Sequence, residues 1–351
     1  MNNTDTLRVG FIGAGAICRD RHLPGLAKIA GVDVVAVANR TQASGEAVAK
    51  QFNIADVMTD WRALLGRSDI DAVFIGTWPY MHKEMSIAAL EAGKHVFCQA
   101  RMCMNLDEAK LMVAAAKKHS KLVNMICPPP HRMPFEPYIK RVLAAGELGT
   151  ITAIELFATG GSNLGDTMSW REDVALSGRQ IMAMGICAET LHAWVGPYSS
   201  LIAQLSTPIA TKKDSSGKTV AINIPQVVTI TGKLASGAIV TEHHSGVVTD
   251  TTTPRNEIII HGLKGTLRHK FLSGTIERAG KGEALQTVAV PPGEQRDWWA
   301  EQEFVEAVRA ARTGKSWNVT PDFEEGLLYM RKVEAVHLSA ASGQLVKPGE
   351  L

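Results

Sequence analysis

VGFIGAGAICRDRHLPGL, residues 9–26, decides the fold. The apolar run LRVGFIG ends in Gly13, Ala14 and Gly15, and a helical pattern follows. In a dinucleotide-binding turn, a glycine at 13 permits the tight bend, and one at 15 lets a pyrophosphate approach the backbone at the helix N-terminus. Ala16 and Ile17 continue that turn as candidate cofactor contacts. The third fingerprint position holds Cys18, so the motif is imperfect, but strand, turn, helix and a second strand follow in the confirming order.

Outward from this turn, short β-branched runs (VDVVAVAN, DAVFIGT, KHVFC, KLVNMI) alternate with amphipathic segments such as HKEMSIAALEAGK and LDEAKLMVAAAKKHS. Such alternation demands right-handed crossovers and builds a parallel sheet. Pro128-Pro129-Pro130 stops it, and beyond one helix (FEPYIKRVLAAGELG) the chain becomes strand-rich: ITAIELFAT, QVVTITGKL, GAIVTEHHSG, NEIIIHG, GTLRHKF. A helix from about Arg179 to Trp194 interrupts the strands, and two more close the chain. The expected fold is an α/β Rossmann domain over residues 1–127, with a doubly wound parallel sheet. An α+β domain over 128–351 follows, built on one broad, mostly antiparallel sheet. TKKDSSGK reads as a hairpin tip.

The 351 residues suit two domains, and 45% hydrophobic against 21% charged residues is enough for a sizeable core. Lys+Arg 37 against Asp+Glu 35 leaves a charge of +2, so nothing favours nucleic acid or an anionic membrane as partner. The expected partner is a small molecule. No secretory pattern or long apolar run stands in the sequence, and the expected location is the cytoplasm. The five cysteines are scattered without a disulfide or zinc spacing, and His243 and His244 alternate across a strand, so no metal is expected.

After the second strand comes Asn39-Arg40-Thr41, where an NAD site usually carries a carboxylate for the ribose 2′-hydroxyl. Arg40 suits a 2′-phosphate instead, with Asn39 and Thr41 donating hydrogen bonds. NADP(H) is therefore expected over NAD(H). Thr77, Trp78 and His82, in the loop TWPYMH after a sheet strand, and Gln99 after the next strand, complete the expected cofactor contacts.

Over nearly its whole length the chain resembles the Gfo/Idh/MocA family of glucose-fructose oxidoreductases and inositol dehydrogenases. The resemblance is carried by GFIGAGAIC, TWPYMHKEMSIAALEAGKHVFC, HRMPF followed by GELGTI, WREDVALSG, NEIIIHGLKGTL and the closing W..E..F..AV pattern. It implies a nicotinamide cofactor, a large open sheet in the domain over 128–351 that serves for substrate binding and oligomerisation, and a homodimer or homotetramer formed through sheet faces. It also implies a Glu-Lys-Pro motif and an Asp-x-x-x-His pair as the catalytic set. Here those positions read Gln99-Ala100-Arg101, Ala183 and Cys187. The usual polyol dehydrogenase mechanism cannot be carried over residue by residue.

Candidates for a rebuilt site follow from chemistry. Arg101 can clamp an anionic substrate group; His131, after the proline run, can serve as acid or base; for Arg132 beside it the resemblance implies a structural role. Glu189 and His192 share a helix face, and Cys187 fills the histidine slot, as a nucleophile only if acidified. Met102, Met104, Met133, Met168, Met182 and Met184 fall in segments that line the family's site; some are core filler, and the remainder would favour a less polar ligand. The expected function is an NAD(P)-dependent oxidoreductase with atypical acid/base residues, acting on a small carbonyl or alcohol compound or sugar derivative. Two alternatives stand beside it: a lyase or dehalogenase using bound nicotinamide without net redox, and an inactive cofactor-binding protein.

Overall fold

Each apolar run of the first third becomes a strand because β-branched residues favour an extended, buried backbone. The computed structural model describes residues 6–351; residues 1–5, assigned above to the first domain, lie outside the described residues. The chain forms two compact units, residues up to Pro128 with Trp299–Leu327, and Pro129–Trp298 with Leu328–Leu351.

In the first unit, strands β1 (Leu7–Ile12), β2 (Val32–Ala38), β3 (Asp56–Met58), β4 (Ala72–Ile75), β5 (His95–Cys98) and β6 (Asn124–Ile126) lie in the order β3-β2-β1-β4-β5-β6. All their pairings are parallel. The order reverses beside β1, and α/β sheets bind ligands beyond the carboxyl ends of the strands at such a point. Between the strands run helices α1 (Leu23–Leu26), α2 (Gln42–Phe52), α3 (Trp61–Leu65), α4 (Pro79–Glu91) and α5 (Leu106–Lys118), with a wide helical turn over Cys18–His22 ahead of α1.

The sheet register sets Phe11, Phe74 and Phe97 side by side. Phe11 stacks on Phe74 at 5.1 Å between ring centroids, and Phe74 on Phe97 at 4.4 Å. Phe304 meets the last two rings edge-on, at 5.3 and 5.6 Å. This aromatic cluster corrects the expected boundary. Residues 299–327, expected in the second domain, join the first unit because the buried face of its helix, with Ala300, Phe304, Val305 and Val308, completes the first core.

The second unit holds α6 (Glu136–Ala144), β7 (Ile151–Thr159), α7 (Val174–Ser177), α8 (Met184–Val195), β8 (Tyr198–Ser206), β9 (Thr211–Lys213), β10 (Thr219–Ala221), β11 (Val227–Leu234), β12 (Ile239–Ser245), β13 (Asn256–Gly262), β14 (Gly265–Lys270), β15 (Thr275–Gly280) and β16 (Gln286–Thr287). The helix of the aromatic cluster is α9 (Ala300–Arg312), and α10 (Phe323–Ser342) begins in the first unit and continues in the second. Eight strands form an open sheet, β16-β15-β14-β13-β7-β12-β11-β8, in which only β7 and β12 pair parallel. Along β8, β11 and β14 buried residues alternate with more exposed ones, so one face of these strands builds the core and the other stays more open. TKKDSSGK is the β9–β10 hairpin, its turn held by the Asp214 carboxylate accepting from Ser216 N at 2.8 Å and Lys218 N at 3.0 Å. The interrupting helix begins later than its periodicity implies. Gly178 and Met182 both have positive φ (62° and 42°), which breaks the helical run before Ala183.

Candidate active site

The turn after β1 is built around contacts that exclude a side chain. Gly13 has φ +76°, and a Cβ there would lie 2.5 Å from Thr77 Cγ2 and 2.9 Å from Thr77 N. At Gly15 the nearest atom to such a Cβ would be 4.0 Å away, so glycine there leaves the backbone open rather than relieving a clash. Cys18, the apparent defect in the fingerprint, is accommodated from the other side. A Cβ on Gly76, just past β4, would lie 2.3 Å from the Cys18 sulfur, so the glycine at 76 makes room for that sulfur and helix and strand pack closely. Burial pushes the Cys18 thiol up to about 12, which leaves it inert.

Asn39 clamps this turn to the end of β2: its Oδ1 accepts from Ala14 N at 2.8 Å. The Asn39 Nδ2 amide keeps its donor capacity, and Asn39 lines the cavity beside this turn. Thr41 caps α2, its Oγ1 accepting from Ser44 N at 3.3 Å, and no acidic residue stands in the first turn of that helix. Arg40 beside it is exposed. Between the glycine turn and this helix lies a cavity of about 460 Å³, lined by Gly13, Gly15, Arg19, Arg40, Thr41, Ser44, Thr77, Trp78 and Tyr80 among others, with no carboxylate among the described residues of its wall. Trp78 is 37% exposed, at the cap of α4 with Pro79 following. Ala16 and Ile17 are exposed at the start of the first helical turn.

Two expected cofactor contacts lie elsewhere. His82 is fully buried: Nε2 sits 2.9 Å from the Thr77 carbonyl and Nδ1 2.7 Å from the Arg101 carbonyl. Burial pushes its pKa down, so the neutral ring donates to one of the two carbonyls while tying the β4 and β5 loops together. Gln99 is also turned inward, its amide joined to His22 and to Ala100 N. Arg101 is itself 7% exposed.

In the second unit, Arg132 donates to Glu189 Oε1 at 3.1 Å and Glu136 Oε1 at 2.9 Å, a buried ion cluster joining α8 to α6. Next to it, His131 stacks on Phe271 with centroids 4.3 Å apart. Its Nε2 lies 3.1 Å from Thr190 Oγ1, and that hydroxyl donates to the Ile186 carbonyl at 3.1 Å. The hydroxyl therefore accepts from His131 Nε2–H and leaves Nδ1 as the basic nitrogen. Cys187 is 2% exposed. His192 is partly buried with both ring nitrogens shielded from solvent: the ring packs on Tyr198, and neither nitrogen has a hydrogen-bond partner among the described residues. Burial, then His269 and Arg132, bring the His131 pKa to about 3; burial, then Lys332, do the same for His192. Both rings are neutral at pH 7. The expected result is that the ring C–H resonances of His131 and His192 stay unshifted in NMR spectra between pH 5 and 8; a midpoint near 6.5 for either would overturn the assignment.

Of the methionines, Met102, Met133 and Met184 are core filler, while Met104, Met168 and Met182 keep partial exposure. His22 and Glu301 form a buried pair that was not legible in the sequence, because no local motif links positions 279 apart in the chain. No helix among the described residues is long and apolar enough to cross a membrane.

Residues 7–126 match the model of the Gfo/Idh/MocA oxidoreductase family with its NAD-binding Rossmann fold, and residues 138–268 match the family's C-terminal domain. The chain is 34% identical over 145 residues to 4-carboxy-2-hydroxymuconate-6-semialdehyde dehydrogenase of a Sphingobium species; that stretch is 40% of this chain and 44% of the relative, less than half its length. It is 26% identical to levoglucosan dehydrogenase of Pseudarthrobacter phenanthrenivorans, over 88% of this chain and 87% of that one. A solved structure of levoglucosan dehydrogenase with NADH and L-sorbose superposes with a TM-score of 0.85 at 23% identity, covering 97% and 98% of the two chains, a likeness of fold. With both domains matched in order, the chain belongs to the Gfo/Idh/MocA oxidoreductase family.

Proposed function

We propose that this protein is an NAD(P)-dependent oxidoreductase with a non-standard active site, acting on a small carbonyl or alcohol compound or a sugar derivative. The observation that carries it is the glycine cradle: a bend at 13 where a side chain would be strained, an open backbone at Gly15, and a cavity beside both whose wall holds two arginines and, among the described residues, no carboxylate. Those residues fit a dinucleotide, with Gly13, Gly15, Ala16 and Ile17 at its pyrophosphate and Thr77 and Trp78 farther along. When bound, a nicotinamide supplies hydride transfer. Arg40 with Thr41 and Ser44 suits a 2′-phosphate, which favours NADP(H).

For the acid/base work, His131 is the candidate that keeps a bare nitrogen, Nδ1, at neutral pH. With a pKa near 3 it passes a proton on rather than storing it. Arg101 remains the candidate clamp for an anionic substrate group, while Cys187, 2% exposed, and His192, whose two ring nitrogens are shut off from solvent, are poorer candidates. The second unit is assigned to substrate binding and to self-association as a homodimer or homotetramer, through an open sheet face on which Ile202 is 43% and Ile239 47% exposed.

Fluorescence titration with NADPH and NADH tests this reading. Micromolar NADPH binding is expected, with NADH weaker. Arg40→Ala should weaken NADPH about 10- to 100-fold, the scale of a charge-assisted hydrogen bond of about 1.5–3 kcal/mol, and leave NADH unchanged. Equal affinity for the two cofactors would remove the NADP preference, and binding of neither would remove the enzyme reading.

A further inference from the structure

Gln99 is the middle of a buried hydrogen-bond chain whose proton positions follow from geometry. Ala100 N donates to Gln99 Oε1 at 2.9 Å, which fixes the amide oxygen on that side. The Gln99 NH₂ group must then face His22 Nε2, 2.7 Å away. An amide nitrogen only donates, so His22 Nε2 is the bare acceptor and the ring proton sits on Nδ1. From there it donates to the Glu301 carboxylate. His22 is 1%, Glu301 3% and Gln99 7% exposed, so water does not compete along this chain.

We propose that His22 is a positioning residue: a neutral Nδ1–H imidazole whose bare Nε2 orients the Gln99 amide and, through it, the peptide leading from β5 into Arg101. Its functional meaning rests on the nicotinamide-site reading, since this peptide leaves the carboxyl end of a sheet strand, where α/β folds bind ligands. The tautomer rests on hydrogen-bond geometry alone. Gln99 is the element that sets it. A carboxylate at 99 would accept at both ends, from Ala100 N and from a proton on His22 Nε2, and would turn His22 into an imidazolium held between two carboxylates. One side-chain atom at position 99 therefore decides the charge of a ring two elements away.

Protein labelled with ¹⁵N-histidine, at pH 7 and without cofactor, supplies the test. His22 should show a protonated Nδ1 and a bare Nε2, and Gln99→Glu should show both nitrogens protonated. A protonated Nε2 in the unaltered protein, or no change in Gln99→Glu, overturns the proposal. Positioning itself is read in His22→Phe with Glu301→Met, which replaces both ends of the pair by apolar groups so that no carboxylate is left buried alone. That double variant should stay folded while the backbone amide signals of Ala100 and Arg101 move and NADPH binding weakens about tenfold, the scale of one lost hydrogen bond. Unmoved amide signals would overturn the positioning role. If they move as expected but the unaltered protein binds no NADPH, the nicotinamide reading has failed and the role of His22 stands.

Discussion

Replacing Gly13 by alanine should abolish nicotinamide binding and lower the unfolding free energy by about 2–5 kcal/mol. Two costs add. A non-glycine residue in the left-handed region costs about 1–2 kcal/mol, and forcing a methyl into filled space about 1–3 kcal/mol. At φ +76°, with Thr77 Cγ2 2.5 Å from the new atom, both apply. Thr77→Ser in the same chain removes that methyl and should return part of the overpacking cost, but not the backbone cost. Gly15→Ala is the contrast. Its Cβ meets nothing closer than 4.0 Å, so stability should hold within about 1 kcal/mol while NADPH affinity falls, because the methyl stands where a phosphate would approach. Urea unfolding and NADPH fluorescence, run on the three variants, separate the two effects. A Gly13→Ala protein as stable as its parent would show that this turn is not the strained element described.

The strand–helix alternation, the glycine turn and the open antiparallel sheet were legible because each is a local pattern with a fixed period. What was not legible is pairing across distance. Cys18 looked like a defect in the fingerprint, since nothing near it in sequence reveals that Gly76 makes room for its sulfur. The helix at Ala300–Arg312 announced its apolar face, but only the Phe74–Phe97 stack says which core that face completes. His82 and Gln99 stood at the right loops for a cofactor, and sequence alone could not say that they turn inward. Arg132, for which the family resemblance implies a structural role, is held by Glu136 and Glu189.

Lys332 gives the other large effect. Its ammonium lies 2.6 and 2.7 Å from the two oxygens of Glu242, which also accepts from Tyr198 OH and lies 2.8 Å from His244 Nε2. Lys332, Glu242 and His244 are wholly buried. Burial works to raise the Glu242 pKa, but Lys332 and His244 outweigh it and hold the carboxyl well below the usual range. A depressed carboxyl contributes stability that is present above its unfolded pKa and is lost as pH falls toward the folded one. In Lys332→Met the carboxylate is left buried without its cation, at a cost of about 3–5 kcal/mol at pH 8. With burial now unopposed by Lys332, its pKa should rise above the ordinary value, which reverses the sign: the variant recovers as the carboxyl takes up a proton. The stability difference between the two proteins should therefore shrink from pH 8 to pH 5. Adding Glu242→Gln, which keeps an acceptor for Tyr198 and carries no charge, should return most of the loss and flatten that pH dependence. Urea unfolding at both pH values decides it; a difference that stays constant or grows toward pH 5 would mean that this pair is not the buried charge cluster that holds the second core together.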